Sequence, residues 1–241
     1  MSPFVAELIG TTILVILGNG VVANVLLHKS KGQNSGWIVI TTGWALAVAV
    51  AVYLVNPISG AHLNPAVTLG LAAIGRFPWT QVPAYIVAQM AGGFLGGTIV
   101  WLAYLPHWEP TEDQATKLAV FCTAPALRRT APNLMTEVIG TFVLVLGVLA
   151  ILRPENLVPN SGFEKGFAPA LVGLLVASIG LSLGGPTGYA INPARDLGPR
   201  LAHAVLPVAG KGGSDWGYAW IPVLGPLIGG VLGAVFFKLF W

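Results

Sequence analysis

The chain has 241 residues, of which 12 are Lys or Arg and 9 are Asp or Glu, so 9% carry charge while 55% are hydrophobic. A soluble domain of this length would hold roughly 60 charged side chains; this chain cannot clothe a globular surface in water, and most of its exterior must face lipid. That excludes a disordered chain, a nucleic-acid binder and an ordinary water-soluble enzyme, and a net charge of +3 is too small to point to partners.

A membrane helix needs about 20 predominantly apolar residues. Six stretches qualify, at about 4–27, 37–55, 82–104, 133–152, 166–183 and 218–240. The first opens Met1-Ser2-Pro3-Phe4 without a basic n-region, carries Glu7 and runs too long for a cleaved signal peptide, so it reads as a span. Between Lys31 and Arg76 lie 44 uncharged residues, more than one span requires and less than two once Asn56-Pro57 breaks the run. An apolar piece there is therefore too short to cross. The segment 105–132, with Glu109, Glu112, Asp113, Lys117, Arg128 and Arg129, reads as a surface loop joining two halves of one domain, about 1–105 and 130–241. After the fifth span, Leu183-Gly184-Gly185-Pro186 ends the helix and a second short segment starts near Asn192.

Charge does not orient the chain. Lys29, Lys31, Lys117, Arg128, Arg129 and Lys211 fall on one side, Arg76, Arg153, Lys165 and Lys238 on the other, so the excess of Lys and Arg expected of cytoplasmic loops is not resolved. Cys122 is the single cysteine, and His28, His62, His107 and His203 lack metal-ligand spacing, so neither a disulfide nor a metal or other cofactor is expected. The compact size and the absence of a targeting signal fit a bacterial plasma membrane.

The two halves repeat. Ala6-Glu7-Leu8-Ile9-Gly10-Thr11 is echoed 130 positions on by Thr136-Glu137-Val138-Ile139-Gly140-Thr141, and Gly60-Ala61-His62-Leu63-Asn64-Pro65-Ala66 is echoed 128 positions on by Gly188-Tyr189-Ala190-Ile191-Asn192-Pro193-Ala194. Three spans separate the two short segments, an odd number of crossings, so the halves must be inverted relative to each other. Short Gly/Pro-interrupted segments at matching places of inverted halves point to a binding or conduction site near the midplane. Non-helical backbone survives at that depth only where protein buries it or water bathes it.

Asn is a favoured helix N-cap and Pro suits the first helical position, so Asn64-Pro65-Ala66 and Asn192-Pro193-Ala194 each read as the start of a short helix. If each Asn carbonyl oxygen serves its own helix, its NH₂ is left to point into the cavity as a donor. Two helix starts meeting from opposite faces bring two positive dipole ends together, a potential that repels cations and protons while offering neutral solutes a donor. One Asn-Pro alone is commonly a turn; the duplicated pair is not read that way. Glu7 and Glu137, at repeat-equivalent places about a turn into their spans, either snorkel to an interface or accept hydrogen bonds from N–H groups of the re-entrant loops, and the repeat favours the second. Arg195 in an apolar segment either pairs with Asp196 or lines water, the latter preferred.

The doubled Asn-Pro-Ala, the flanking Gly60-Ala61-His62-Leu63 and Arg195-Asp196-Leu197-Gly198-Pro199-Arg200, and the repeated Glu-Leu/Val-Ile-Gly-Thr resemble the aquaporin, or major intrinsic protein, family, and within it the aquaglyceroporin (glycerol facilitator) branch. The resemblance covers essentially the whole chain. It implies an all-α membrane protein, a right-handed bundle of six transmembrane helices plus two re-entrant half-helices in an inverted repeat, with a pore in every protomer of a homotetramer set in the lipid bilayer.

Carried over by motif spacing, the resemblance implies a narrowest point built from Trp44, Gly180, Tyr189 and Arg195, and a ladder of acceptor carbonyls at Gly60, Ala61, His62, Gly188, Tyr189 and Ala190, with the ring of His62 holding its loop. Gly180, where water-selective members have His, opens the pore. Trp44 and Tyr189 offer an apolar corner to a polyol's carbon edge, and Arg195 and nearby carbonyls serve its hydroxyls. Tyr189 departs from the Phe of close glycerol facilitators, which opens dihydroxyacetone or an undissociated hydroxy acid as further solutes. The expected function is passive conduction of glycerol, other small neutral solutes and water, with ions and protons excluded. A water-selective channel is the nearest alternative. A secondary transporter would need titratable groups at the midplane beyond Glu7 and Glu137, and an enzyme would need a catalytic set that the chain lacks.

Overall fold

The computed structural model describes residues 1–153, 155–157 and 162–241, with the side chains of 163–165 left outside that description, Lys165 among them. Among the described residues the chain is all-helical, with no strand. In chain order the helices are α1 (Pro3–Leu26), α2 (Trp37–Ser59), α3 (Pro65–Ala73), α4 (Val82–Ala103), α5 (Gln114–Phe121), α6 (Thr130–Ile151), α7 (Gly162–Leu183), α8 (Pro193–Val205) and α9 (Ile221–Phe240). Six are long and apolar enough to cross a bilayer: α1, α2, α4, α6, α7 and α9. An even number of crossings leaves both termini on one face. Helices α3 and α8, of 9 and 13 residues, are too short to span.

Several boundaries differ from the sequence expectation, and proline explains two of them. Asn56-Pro57 does not break the second span, which runs through Pro57 to Ser59 before Gly60 ends it at φ 80°. Pro57 lies in the last turn, where its missing N–H removes one bond only, and the Gly60 N–H still closes on the Asn56 carbonyl at 3.0 Å. The fourth span starts at Thr130 rather than 133. Pro132 is tolerated in its first turn because N–H groups there have no helical partner anyway. The segment 105–132 is also more than a surface loop: it contains α5, capped by Asp113, whose carboxylate accepts from the N–H groups of Ala115 at 3.3 Å and Thr116 at 2.8 Å. This helix buries Leu118, Val120 and Phe121 and packs on α1 and α8.

Packing crosses between the halves. Helix α1 lies on α2 and α4, and α6 lies on α7 and α9; the stub α3 packs on α9 and the stub α8 on α4. Each short helix is thus held by the last long helix of the opposite half. Small residues permit this. On α4, Gly92 and Gly96 face α1 while Gly93 and Gly97 face α8; on α9, Gly229 and Gly233 face α6 while Gly230 faces α3. A Cβ at Gly230 would stand 2.7 Å from the Ala66 carbonyl oxygen, closer than real contacts allow. Without such residues the backbones could not approach as membrane helices do when no hydrophobic effect drives them together.

Candidate functional site

The two loops that lead into α3 and α8 have the same backbone path. From Gly60, φ runs 80°, then 49° at Ala61, and 52° at Leu63; from Gly188 it runs 79°, then 40° at Tyr189, and 44° at Ile191. Asn64 and Asn192 then return to extended values, φ −158° and −154°. Positive φ is unfavourable for non-glycine residues, above all for β-branched Ile191, and costs about 1–3 kcal/mol each unless the surroundings over-determine it.

Two buried carboxylates supply that constraint. Glu7, on α1, accepts from Ser59 Oγ (2.6 Å), His62 N (2.9 Å), Leu63 N (2.7 Å) and Gln89 Nε2 (2.8 Å). Glu137, on α6, accepts from Thr187 Oγ1 (2.7 Å), Ala190 N (3.0 Å) and Ile191 N (2.9 Å). The pairs Ser59 and Thr187, His62 and Ala190, Leu63 and Ile191 all stand 128 positions apart. His62 also meets Thr68 Oγ1 through Nδ1 at 3.1 Å, and its ring packs edge-on against Phe77.

The asparagines do two jobs at once. The Asn64 side-chain oxygen accepts from Ala66 N at 2.9 Å, and that of Asn192 accepts from Ala194 N at 3.0 Å and Arg195 N at 3.3 Å, with Pro65 and Pro193 in the first helical turn. Each NH₂ reaches across to the other loop: Asn64 Nδ2 donates to the Ile191 carbonyl and Asn192 Nδ2 to the Leu63 carbonyl, both at 2.8 Å. The expectation that the whole NH₂ faces the cavity is therefore corrected. One N–H of each amide ties the two stubs together and one remains, because an amide nitrogen has two protons to give.

These residues surround one cavity. Trp44, Tyr189 and Arg195 line one end and Asn64 and Asn192 its middle; Gly60, Ala61 and His62, which follow the end of α2, line it toward the face with both termini, with Leu152 and Pro169, and Ala190 lines it from the other loop. The opposite wall is aliphatic, from Val48 and Val52 on α2, Leu144 and Val148 on α6, and Val172 and Val176 on α7. Arg195, 8% exposed, lies with its guanidinium carbon 4.1 Å over the Trp44 ring and has no side-chain hydrogen bond among the described residues. Its neighbour Asp196 is engaged elsewhere, in a fully buried pair with Arg200 at 2.8 Å and with the N–H and hydroxyl of Thr123 at 2.7 Å each. The alternative pairing of Arg195 with Asp196 is thus not formed.

Gly180, Gly188, Pro65, Ala66, Pro193 and Ala194 stand behind the lining rather than in it. A Cβ at Gly180 would meet Tyr189 Cζ at 2.8 Å and Thr41 Cγ2 at 2.9 Å, so the glycine makes room for the tyrosine ring. Trp37, which the motif spacing does not single out, frames the same ring: it donates from Nε1 to the Gly180 carbonyl at 3.0 Å and meets Tyr189 at 5.8 Å, nearly perpendicular. The Tyr189 hydroxyl and Trp44 Nε1 have no protein partner among the described residues. Motif spacing also leaves out Gln89 and Thr123. Ser59 and Thr187 were within its reach, since the repeat offset aligns two hydroxyl residues.

Comparison with known proteins identifies the family and the fold. The family profile described as Major intrinsic protein matches residues 1–237. The chain is 64% identical over 234 residues to a probable glycerol uptake facilitator protein of Thermotoga maritima, covering 97% of both chains. It is 56% identical to the glycerol uptake facilitator protein of Bacillus subtilis, over 99% of this chain and 84% of that one, and 39% identical to a D/L-lactic acid transporter of Lactiplantibacillus plantarum, over 98% and 97%. The crystal structure of the aquaglyceroporin from Plasmodium falciparum superimposes with a TM-score of 0.86 at 30% identity, over 98% of this chain and 94% of that one. On the strength of a profile match over nearly its whole length and relatives identical at more than half of their positions, the chain belongs to the major intrinsic protein family.

Proposed function

We propose that the chain is a passive channel for glycerol, other small uncharged solutes and water, a multi-pass protein of a bacterial plasma membrane that works without chemistry on its cargo. The observation that carries this reading is the two-sided cavity: aliphatic side chains along one wall, the strained loops and both asparagines along the other. A polyol has the same two sides, a carbon edge and a hydroxyl edge. The carbonyls of Gly60, Ala61, His62, Tyr189 and Ala190, which belong to lining residues, serve as acceptors along its path. The free N–H of Asn64 and Asn192 and the guanidinium of Arg195 act as donors. Trp44, Tyr189 and Arg195 form the narrowest point, with Gly180 setting how far the Tyr189 ring stands back. The stub helix starts, each equivalent to roughly half a positive charge, and Arg195 raise the potential where a cation would have to shed its water. The protomers assemble as a homotetramer, each with its own pore.

A second reading, passage of undissociated lactic acid, is favoured by the buried Tyr189 hydroxyl, which has no protein partner among the described residues, and by the similarity to the D/L-lactic acid transporter of Lactiplantibacillus plantarum. Uptake by proteoliposomes of glycerol, water and lactate, the last at acidic and neutral pH, tests both. Glycerol passing well above empty vesicles supports the channel, and water passing while glycerol is held back overturns it in favour of a water-selective pore. Lactate entering at acidic pH alone supports the second reading; equal entry at both pH values contradicts it. Gly180→His, which pushes Tyr189 toward the lumen, lowers glycerol uptake about tenfold with water less affected. Tyr189→Phe leaves glycerol within about twofold and selectively lowers the acid.

A further inference from the structure

A second cavity lies outside the pore, between α6, α7 and α9, toward the face that carries both termini. Its walls are Val143, Leu146 and Ala150 on α6, Leu175 on α7, and Phe237 and Trp241 at the end of α9, while Arg153 and Asn156 close one end. From Val143 to Arg153 the helical rise corresponds to about 15 Å, half of a hydrocarbon core of about 30 Å. The depth is therefore that of a single leaflet.

The polar end is built to hold Arg153 in place. The Arg153 carbonyl accepts from the N–H groups of Asn156 at 3.0 Å and Leu157 at 3.2 Å. The Asn156 amide and the Arg153 N–H both donate to the Ala150 carbonyl, so this end of α6 does not present it as a bare acceptor to an approaching anion. The Arg153 guanidinium uses only Nε, on Glu155 at 3.2 Å, and its two terminal nitrogens have no partner among the described residues. A second cation stands at this corner: Arg76 lies 5.1 Å over the ring of Phe237, which lines the cleft. Against these two stands Glu155, the ion-pair partner of Arg153.

We infer that this cleft is a binding site for an anionic phospholipid of the leaflet on the terminus-bearing face, its acyl chain lying between α6, α7 and α9 and its phosphate on the free nitrogens of Arg153. The apolar length, the forked donor at its mouth and the local excess of positive charge fit one molecule that has both a chain and a phosphate. A juxtamembrane Arg or Lys contributes enough attraction to an anionic surface to change binding about fivefold.

Native mass spectrometry of the full-length protein tests this, with dioleoyl phosphatidylglycerol and dioleoyl phosphatidylcholine in competition. Their chains are identical, so a preference reports the headgroup. The expected result is retention of phosphatidylglycerol over phosphatidylcholine, a fall of about fivefold in that preference for Arg153→Gln and its recovery in Arg153→Lys. Ala150→Phe, which fills the cleft, lowers retention of both lipids. Glycerol uptake by the same variants in phosphatidylcholine vesicles stays at the unsubstituted level, which shows that they fold and separates this site from the pore. Equal retention of the two lipids, or an Arg153→Gln preference equal to that of the unsubstituted protein, overturns the inference. So does a change of oligomeric mass in Ala150→Phe with lipid retention intact, which would assign the cleft to a second copy of the chain.

Discussion

At the scale of the residue, the two glutamates do for the re-entrant loops what a helix ladder does for ordinary backbone in lipid. Glu137 takes three donors and Glu7 four, and of these seven only Gln89 Nε2 has a second acceptor, Thr68 Oγ1 at 3.0 Å. Leaving a buried donor unsatisfied costs about 1–3 kcal/mol, and the positive φ at Tyr189 and Ile191 adds strain that the Glu137 bonds help to hold. Glu137→Ala is therefore expected to lower glycerol uptake by at least about tenfold while far-ultraviolet circular dichroism changes little, because the loop relaxes and the long helices stay. Uptake at the unsubstituted rate would contradict the constraint assigned to Glu137. These positions were legible because each occurs twice at one offset. Gln89 and Thr123 were not, since neither stands in the matched motifs and each joins a carboxylate only through the packing of distant segments. The second task of the asparagines was hidden for a related reason: the Leu63 and Ile191 carbonyls that take their N–H groups are brought near by the opposite half.

At the scale of the element, the stub helices depend on what holds their flanks. Helix α8 is anchored by the buried Asp196–Arg200 pair, whose other bonds reach the Thr123 and Ser214 carbonyls and the Thr123 hydroxyl. Removing one partner of such a pair strands the other charge and costs about 3–5 kcal/mol. Asp196→Asn should lower the thermal midpoint of the purified protein well below that of Asp113→Asn, which touches only an exposed cap, and equal midpoints would contradict the anchoring role. Gly230→Val tests the α3 contact: a side chain there meets the Ala66 carbonyl, so glycerol uptake falls even where the protein still reaches the membrane. The six spans and the positions of both stubs were open to sequence reading because a chain with 9% charge has few places to turn. Pro57 and Pro132 misled the boundaries, since the cost of proline depends on its place within a helix and composition does not carry that. Helix α5 was missed because eight residues mixing Gln114, Thr116 and Lys117 with apolar ones read equally well as loop.

At the scale of the whole molecule, inversion explains why two weak features make one strong site. Neither stub crosses the bilayer, yet each lies against the last helix of the other half, and their asparagines are bonded across the meeting point. The pore is thus the joint between the halves, with α2, α6 and α7 supplying its dry wall. The measurement that tests this most directly is the light-scattering recovery of proteoliposomes after a hyperosmotic step in glycerol, set against empty vesicles of the same lipid. Recovery faster by at least about tenfold, and slowed by Gly180→His, is the predicted result. Recovery at the rate of empty vesicles, from protein shown to be folded and inserted, would contradict it.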